Sequence, residues 1–229
     1  MLEINNNCVA VIPARIGSKR IKNKNIRIFF GKPIIYYSIK IARSCGLFKD
    51  IFVSTDSEKI KKICLNLGVK IISRPKKLAL DHISTLDVIN HAARIIIKKY
   101  RYKYLCCIYP CTPLLTFNIL NKAFKYIKNF DYVFPVSKGI TSNKSFLNLD
   151  KKSRVVKVLR NYEDGKQCYS DTGQFYLGKI KAWEKKNPIF SKKSKTFFLK
   201  KNQFVDVNYN SDWKKLKILF QNRFIKTNE

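Results

Sequence analysis

The amino-acid sequence predicts an α/β protein with a doubly wound, mostly parallel sheet. Two observations carry that prediction. Short β-branched apolar runs alternate with segments of helical periodicity over residues 9–136, the pattern of parallel strands joined by helical crossovers. The runs are apolar at consecutive positions, as strands covered on both faces require. A third observation bears on chemistry. Polar and charged residues suited to binding follow the strands, and open α/β sheets hold their ligands beyond the carboxyl ends of the strands.

The first strand is Val-Ala-Val-Ile at residues 9–12, and the loop after it carries Arg15, Gly17, Ser18, Lys19, Arg20, Lys22 and Lys24. A glycine lets backbone approach an anion, and clustered cations offset polyphosphate charge. Gly31-Lys32-Pro33 precedes a helix over 34–44, with proline preorganising the first turn and Gly46 ending it. Residues 51–54 form the second strand. Asp56 or Ser57 caps the next helix, whose inner face is Ile60, Ile63, Cys64 and Leu67 and which stops at Gly68. Residues 69–72 are the third strand, before Arg74-Pro75.

Residues 81–85 supply a polar loop and a cap for a helix ending near Lys99, with Leu86, Ile89, Ala93 and Ile96 or Ile97 inward. The fourth strand, 105–109, stops at Pro110-Cys111-Thr112-Pro113, where two prolines force an extended loop. A helix over 116–128 and a strand over 131–136 complete the alternation. Residues 137–170 break the pattern and read as an excursion from the sheet, with a strand at 155–159. The chain then returns to the core through 173–177, a short helix over 180–185, and segments at 197–199 and 204–207. A final helix from Ser211 buries Trp213, Leu216, Phe220 and Phe224. No repeat or flexible linker divides residues 1–229, which are read as one domain.

Composition narrows the function classes. A 229-residue chain that is 45% hydrophobic is long enough for a sizeable core. No apolar run approaches the roughly 20 residues of a membrane-spanning helix, and residues 1–7 lack a secretory pattern, so a cytoplasmic, non-membrane protein is expected. The seven cysteines include no C-x-x-C pair and read as reduced core thiols. Cys107, Cys111, His82 and His91 make a poor zinc set. A formal charge of +32 would suit a nucleic-acid partner. Lysine, however, is spread over nearly every segment beside abundant Ile, Asn, Phe and Tyr, all residues of AT-rich codons, so nucleic acid is not the expected partner. Arg20 and Lys22 are read as part of this compositional charge. The first loop matches neither G-x-x-x-x-G-K-[ST] nor G-x-G-x-x-G, which argues against a P-loop kinase and a dinucleotide oxidoreductase.

Residues 13–20 (Pro-Ala-Arg-Ile-Gly-Ser-Lys-Arg) with Lys24-Asn25, then Ser54-Thr55-Asp56, Arg74-Pro75, Pro110-Cys111-Thr112-Pro113 and Val205-Asp206-Val207-Asn208, resemble the CMP-acylneuraminate synthetase family of cytidylyltransferases along nearly the whole chain. Residues 106–109, 171–178 and 187–191 resemble its pseudaminic acid branch more closely than its N-acetylneuraminate branch. The resemblance implies a nucleotide-diphospho-sugar transferase-like fold. It implies transfer of CMP from CTP to the anomeric hydroxyl of a nine-carbon 2-keto sugar acid, with release of pyrophosphate and with Mg2+ as cofactor. It further implies a homodimer, with the excursion at 137–170 reaching toward the partner.

Carried over by resemblance, Arg15, Lys24 and Asp206 are catalytic. Ala14, Arg15, Gly17, Ser18, Lys19, Lys24, Asn25, Arg74, Asp81 and Thr85 bind CTP, while Tyr109, Ser170, Gln174 and Tyr176 face the sugar. Asp206 and Asn208 hold the metal. The family presents two aspartates two residues apart at this point, and Asn208 replaces the second, so weaker metal binding is expected and Asn208→Asp should strengthen it. Asp212 is read either as a helper at the metal or as a cap. Ile16 stands where the family has a second glycine, and Ser170 where the pseudaminic branch has histidine. Tyr109 favours the pseudaminic branch, since the sialic acid branch has glutamine there. The alternatives are N-acetylneuraminate or legionaminate as substrate, or a decayed nucleotide-binding protein repurposed for RNA or anionic surfaces. A 3-deoxy-manno-octulosonate cytidylyltransferase is disfavoured by residues 171–178.

Overall fold

Alternate side chains of the first strand, β1 (Cys8–Pro13), enter two different cores. Cys8, Ala10 and Ile12 pack on one side of the sheet, and Val9 and Val11 on the other. All five are fully buried, which is why the strand tolerates no polar residue in its interior. The computed structural model describes residues 7–139, 146–159 and 168–225.

After β1 and its loop comes a small hairpin of β2 (Ile28–Phe29) and β3 (Lys32–Pro33). Pro33 therefore belongs to a hairpin rather than to the first turn of the helix, which begins at Ile35. The parallel half of the sheet is β4 (Asp50–Thr55), β5 (Lys70–Ser73) and β6 (Tyr104–Ile108) around β1. Beyond it lie β7 (Tyr132–Lys138), β8 (Phe146–Leu149), β9 (Val155–Leu159), β10 (Tyr169–Asp171), β11 (Phe175–Lys179) and β12 (Ser194–Phe198). Among the described residues the order is β5-β4-β1-β6-β11-β7-β10-β8-β9, with β12 parallel to β7. Following the pairings, only β9, β10 and β11 run against the other strands, so the sheet is mixed but mostly parallel. The alternation along the chain places β7 after β6. In space, β11 returns and inserts between them, antiparallel to both.

Helices cover both faces. On the first core lie α1 (Ile35–Ser44), α2 (Glu58–Asn66) and, from later in the chain, the helix Phe117–Phe124. On the second lie α3 (Thr85–Lys99) and the short helix Ile180–Glu184. The helix Phe117–Phe124, α4, is shorter than its periodicity predicts and gives way to a 3-10 turn at Ile127–Asn129. The hydroxyls of Ser57, Ser84 and Thr116 accept the backbone N–H of Ile60, Asp87 and Ile119, capping α2, α3 and α4. With Ile180–Glu184 as α5, the final helix is α6 (Asn210–Ile225).

A third cluster holds α6 against the first loop. Trp213 and Phe220 stand edge-on to Phe29 at 5.7 and 5.0 Å, and Leu216, Val205 and Val207 join them. Edge-to-face pairs contribute about 0.5–1.5 kcal/mol each beyond burial. This packing draws the extended segment before α6, residues 204–208, across the carboxyl end of the sheet. The side chain of Phe224 lies outside the described residues, as do 140–145 and 160–167 of the excursion. All seven cysteines are buried and unpaired. Among the described residues no helix is long and apolar enough to cross a membrane.

Candidate active site

A cleft of about 500 Å³ opens at the carboxyl edge of β1 and β6, walled by the first loop, by residues 74–85 and by the segment before α6. Buried Ile21 pins the loop from below, and the 3-10 turn Lys24–Ile26 places Asn25 inside it. Asn25 Nδ2 donates to Arg15 O at 2.8 Å, and Lys24 Nζ donates to Val207 O at 2.6 Å. The loop is therefore stitched both to itself and to the far wall. Arg15 donates to Ala79 O at 2.9 Å and pairs with Asp81 at 2.5 Å, while Lys19 reaches the other Asp81 oxygen at 2.8 Å. Hydrogen bonds from Lys19 and Arg15 hold the Asp81 carboxyl below its usual range. Ser18 also lines the cleft.

Two residues of this loop expected at CTP do not line the cleft. Ala14 is fully buried under the loop, with its N–H bonded to Ser54 O at 2.9 Å. Gly17 is exposed, and a Cβ built on it meets no protein atom within 4 Å, so neither protein packing nor a left-handed backbone requires glycine there. Ile16 packs its side chain against the first core.

On the opposite wall, Arg74 is 6% exposed, donates to Ser54 O at 3.1 Å and lies 3.9 Å from Asp56. Burial lowers its pKa against the raising effect of Asp56. Its Nε has no hydrogen-bond partner. A buried guanidinium donor without a partner beside a cleft is a place for a ligand acceptor. Thr85 Oγ1 and Tyr109 OH lie 2.6 Å apart, so a residue expected at the nucleotide and one expected at the sugar touch directly.

Farther along, Gly173 lines the cleft, and its N–H donates to Asp171 Oδ1 at 3.0 Å. The other Asp171 oxygen accepts from Tyr176 OH. Burial pushes the Asp171 carboxyl up to about 6. Of the other predicted sugar contacts, Ser170 is buried in β10 and donates to Gly139 O at 3.1 Å. Gln174 is also buried, donates to Gln203 O at 3.0 Å, and leaves Oε1 without a partner. Ser170, Gln174 and Tyr176 thus lie behind the wall rather than on it: Ser170 and Tyr176 are buried in β10 and β11, and Gln174 is buried in the turn between them, tied to Gln203.

Asp206 stands in the cleft, its carboxyl raised by burial and pulled back by Asn208 and Lys24. Asn208 Nδ2 donates to Asp206 Oδ2 at 2.7 Å, while Asn208 Oδ1 accepts from Arg20 at 2.7 Å. Asp212 accepts the N–H groups of Asn208 and Tyr209 at 2.8 Å each, so it acts as the cap at the start of α6. For a divalent cation, Asp206 fits as one carboxylate completed by phosphate oxygens, which is how Mg2+ commonly binds. Asn208 does not fit, since it turns an amide nitrogen to Asp206 and commits its oxygen to a guanidinium. Among the described residues no group of three or more His, Cys, Asp or Glu is placed to hold a metal. The sequence left out Arg20, Asp171 and Gly173. Arg20 was hidden by the general lysine and arginine content, whereas the Asp-Thr-Gly turn was a visible signal.

The family described as Cytidylyltransferase matches residues 9–227. The chain belongs to the cytidylyltransferase family. The cytidylyltransferase is 34% identical over 226 residues to the pseudaminic acid cytidylyltransferase of Campylobacter jejuni strain 81-176, covering 93% of this chain and 96% of that one. It is 30% identical over 218 residues to N-acylneuraminate cytidylyltransferase A of Danio rerio, covering 89% of this chain and 48% of that one. The solved structure of CMP-2-keto-3-deoxy-manno-octonic acid synthetase complexed with CTP superposes with a TM-score of 0.76 at 15% identity, covering 95% of this chain and 100% of that one. That likeness is one of fold. Every cleft residue named above falls within the matched span of the cytidylyltransferase, which is a nucleotidyltransferase enzyme.

Proposed function

We propose that the cytidylyltransferase transfers CMP from CTP to the anomeric hydroxyl of a nonulosonic acid, and that pseudaminic acid is that sugar. The observation that carries the reading is the cleft itself. It gathers Arg15, Lys19 and Lys24 at a sheet edge, in a chain similar to pseudaminic acid cytidylyltransferase over nearly its full length. The anomeric oxygen attacks the α-phosphorus, the bond from that phosphorus to the oxygen bridging it to the β-phosphorus breaks, pyrophosphate leaves with that electron pair, and the hydroxyl proton passes to solvent. Such a reaction asks the protein for positioning and charge neutralisation. Lys24 is oriented by Val207 O, and Arg15 by Ala79 O, before substrate arrives. Asp81 pairs with Arg15 and Lys19 and keeps them ordered, and phosphate oxygens of CTP would take its place. The unpartnered Nε of Arg74 offers a buried donor to the nucleoside. Mg2+ held by Asp206 would neutralise and orient the triphosphate.

For the assembly, the homodimer reading draws support from Val156, Val158 and Phe198, which are 49%, 40% and 46% exposed at the excursion side of the sheet. Sedimentation equilibrium of wild type against Val158→Glu tests it.

A coupled pyrophosphate-release assay with CTP and purified pseudaminic, N-acetylneuraminic and legionaminic acids tests the reaction. Turnover with pseudaminic acid at the highest kcat/KM is expected. Folded protein without turnover on any of the three would sink the assignment, and preference for another acid would move the substrate.

A further inference from the structure

We propose that Arg20 contacts the phosphates of CTP and that Asn208 exists in this chain to hold Arg20 rather than to bind metal. The inference rests on the nucleotide reading above and goes beyond it. Arg20 lines the cleft beside Lys19 and Lys24. It is held there twice from one segment: Asn208 Oδ1 accepts its Nη2 at 2.7 Å, and its guanidinium lies 5.2 Å from the centre of the Tyr209 ring. An exposed arginine in a strongly basic protein has no need of two such supports. A guanidinium carries five N–H donors in a planar fork, so one bond to Asn208 leaves the geometry for a paired contact with phosphate intact.

The chemistry of residue 208 explains the arrangement. Asn208 lies between a cation, Arg20, and an anion, Asp206, turning its oxygen to the first and its NH2 to the second. Reversing the amide would set NH2 against guanidinium and oxygen against carboxylate, and both contacts repel. Only an amide serves both neighbours. A carboxylate at this position would capture Arg20 in an ion pair and repel Asp206. The amide at residue 208 and the placement of Arg20 are therefore one feature. The positive charge that a better-held metal would bring is supplied in part by a side chain.

The test is calorimetric binding of CTP and of CMP, without sugar, at fixed Mg2+. Arg20→Ala is expected to weaken CTP by about tenfold or more, the loss typical of a charge-assisted bond, and to change CMP by less than about threefold. Arg20→Lys should recover only part of the loss. Lys22→Ala, which removes equal charge from the same loop outside the cleft, should leave CTP binding unchanged. Asn208→Asp should weaken CTP in the wild-type background and have little further effect in Arg20→Ala, a non-additivity that marks the two as one unit. CTP binding by Arg20→Ala at wild-type strength, or tighter CTP and Mn2+ binding by Asn208→Asp alone, with Mn2+ read by electron paramagnetic resonance, would overturn the proposal. Wild-type protein that fails to bind CTP would instead bring down the nucleotide reading and this inference with it.

Discussion

Gly173 and Asp206 meet so closely that a Cβ on the glycine would lie 2.9 Å from Asp206 Oδ1 and 3.1 Å from its Cγ. The glycine also has φ +62, a backbone state that side chains with a Cβ rarely adopt. One turn thus sets where the carboxylate of the cleft can stand.

Gly173→Ala is expected to lower stability by about 1–2 kcal/mol, from the left-handed backbone, and to displace Asp206. The kinetic loss should be larger than the stability loss suggests, with kcat down about tenfold or more in protein that is still folded by circular dichroism. Wild-type kcat in that variant would show that the position of Asp206 is not critical.

The bond between Thr85 and Tyr109 joins the wall formed by residues 74–85 to the end of β6. Tyr109→Phe should cost about 1 kcal/mol in urea unfolding and weaken CTP binding several-fold through Thr85. Thr85→Val should add little to it. Strict additivity of the two changes, in unfolding and in CTP binding, would mean the residues act separately.

Asp171 makes a prediction about pH. Its folded carboxyl titrates at about 6 because burial disfavours the charge, against an ordinary value of 3.8. Between about pH 4 and pH 6 the folded protein therefore binds more protons than the unfolded chain, and stability from this group falls as pH rises through that window. The difference is on the order of 3 kcal/mol, flat above about pH 6. Asp171→Asn should remove this slope. Urea unfolding of both proteins at intervals between pH 4 and 7 measures it, and parallel stability curves would refute it.

Much of the first half of the fold was legible in the chain. Val9–Val11, Phe52–Val53 and Leu105–Cys107 are buried on both faces, so their residue types alone announce parallel strands. The loop after β1 was equally legible as an anion site, because its cations follow a strand directly. The second half was harder to read. Strand β11 pairs with β6 and β7 through backbone hydrogen bonds that leave no trace in side-chain periodicity, and its direction cannot be inferred from period 2.

For the site, sequence by itself determined which residues follow the strands, and with them Arg15, Lys19, Lys24, Arg74 and Asp81, whereas Asp206 came only from the family resemblance. Tertiary structure alone decided which way each one faces. It buried Ser170 and Tyr176 in the sheet and Gln174 in the turn between their strands, covered Ala14, and left Gly17 in the open. It also brought Arg20 across 188 residues of sequence to Asn208. The reason is physical: a strand-end position follows from local apolar pattern, whereas a side chain's partner depends on which distant segment the packing of α6 lays across the cleft.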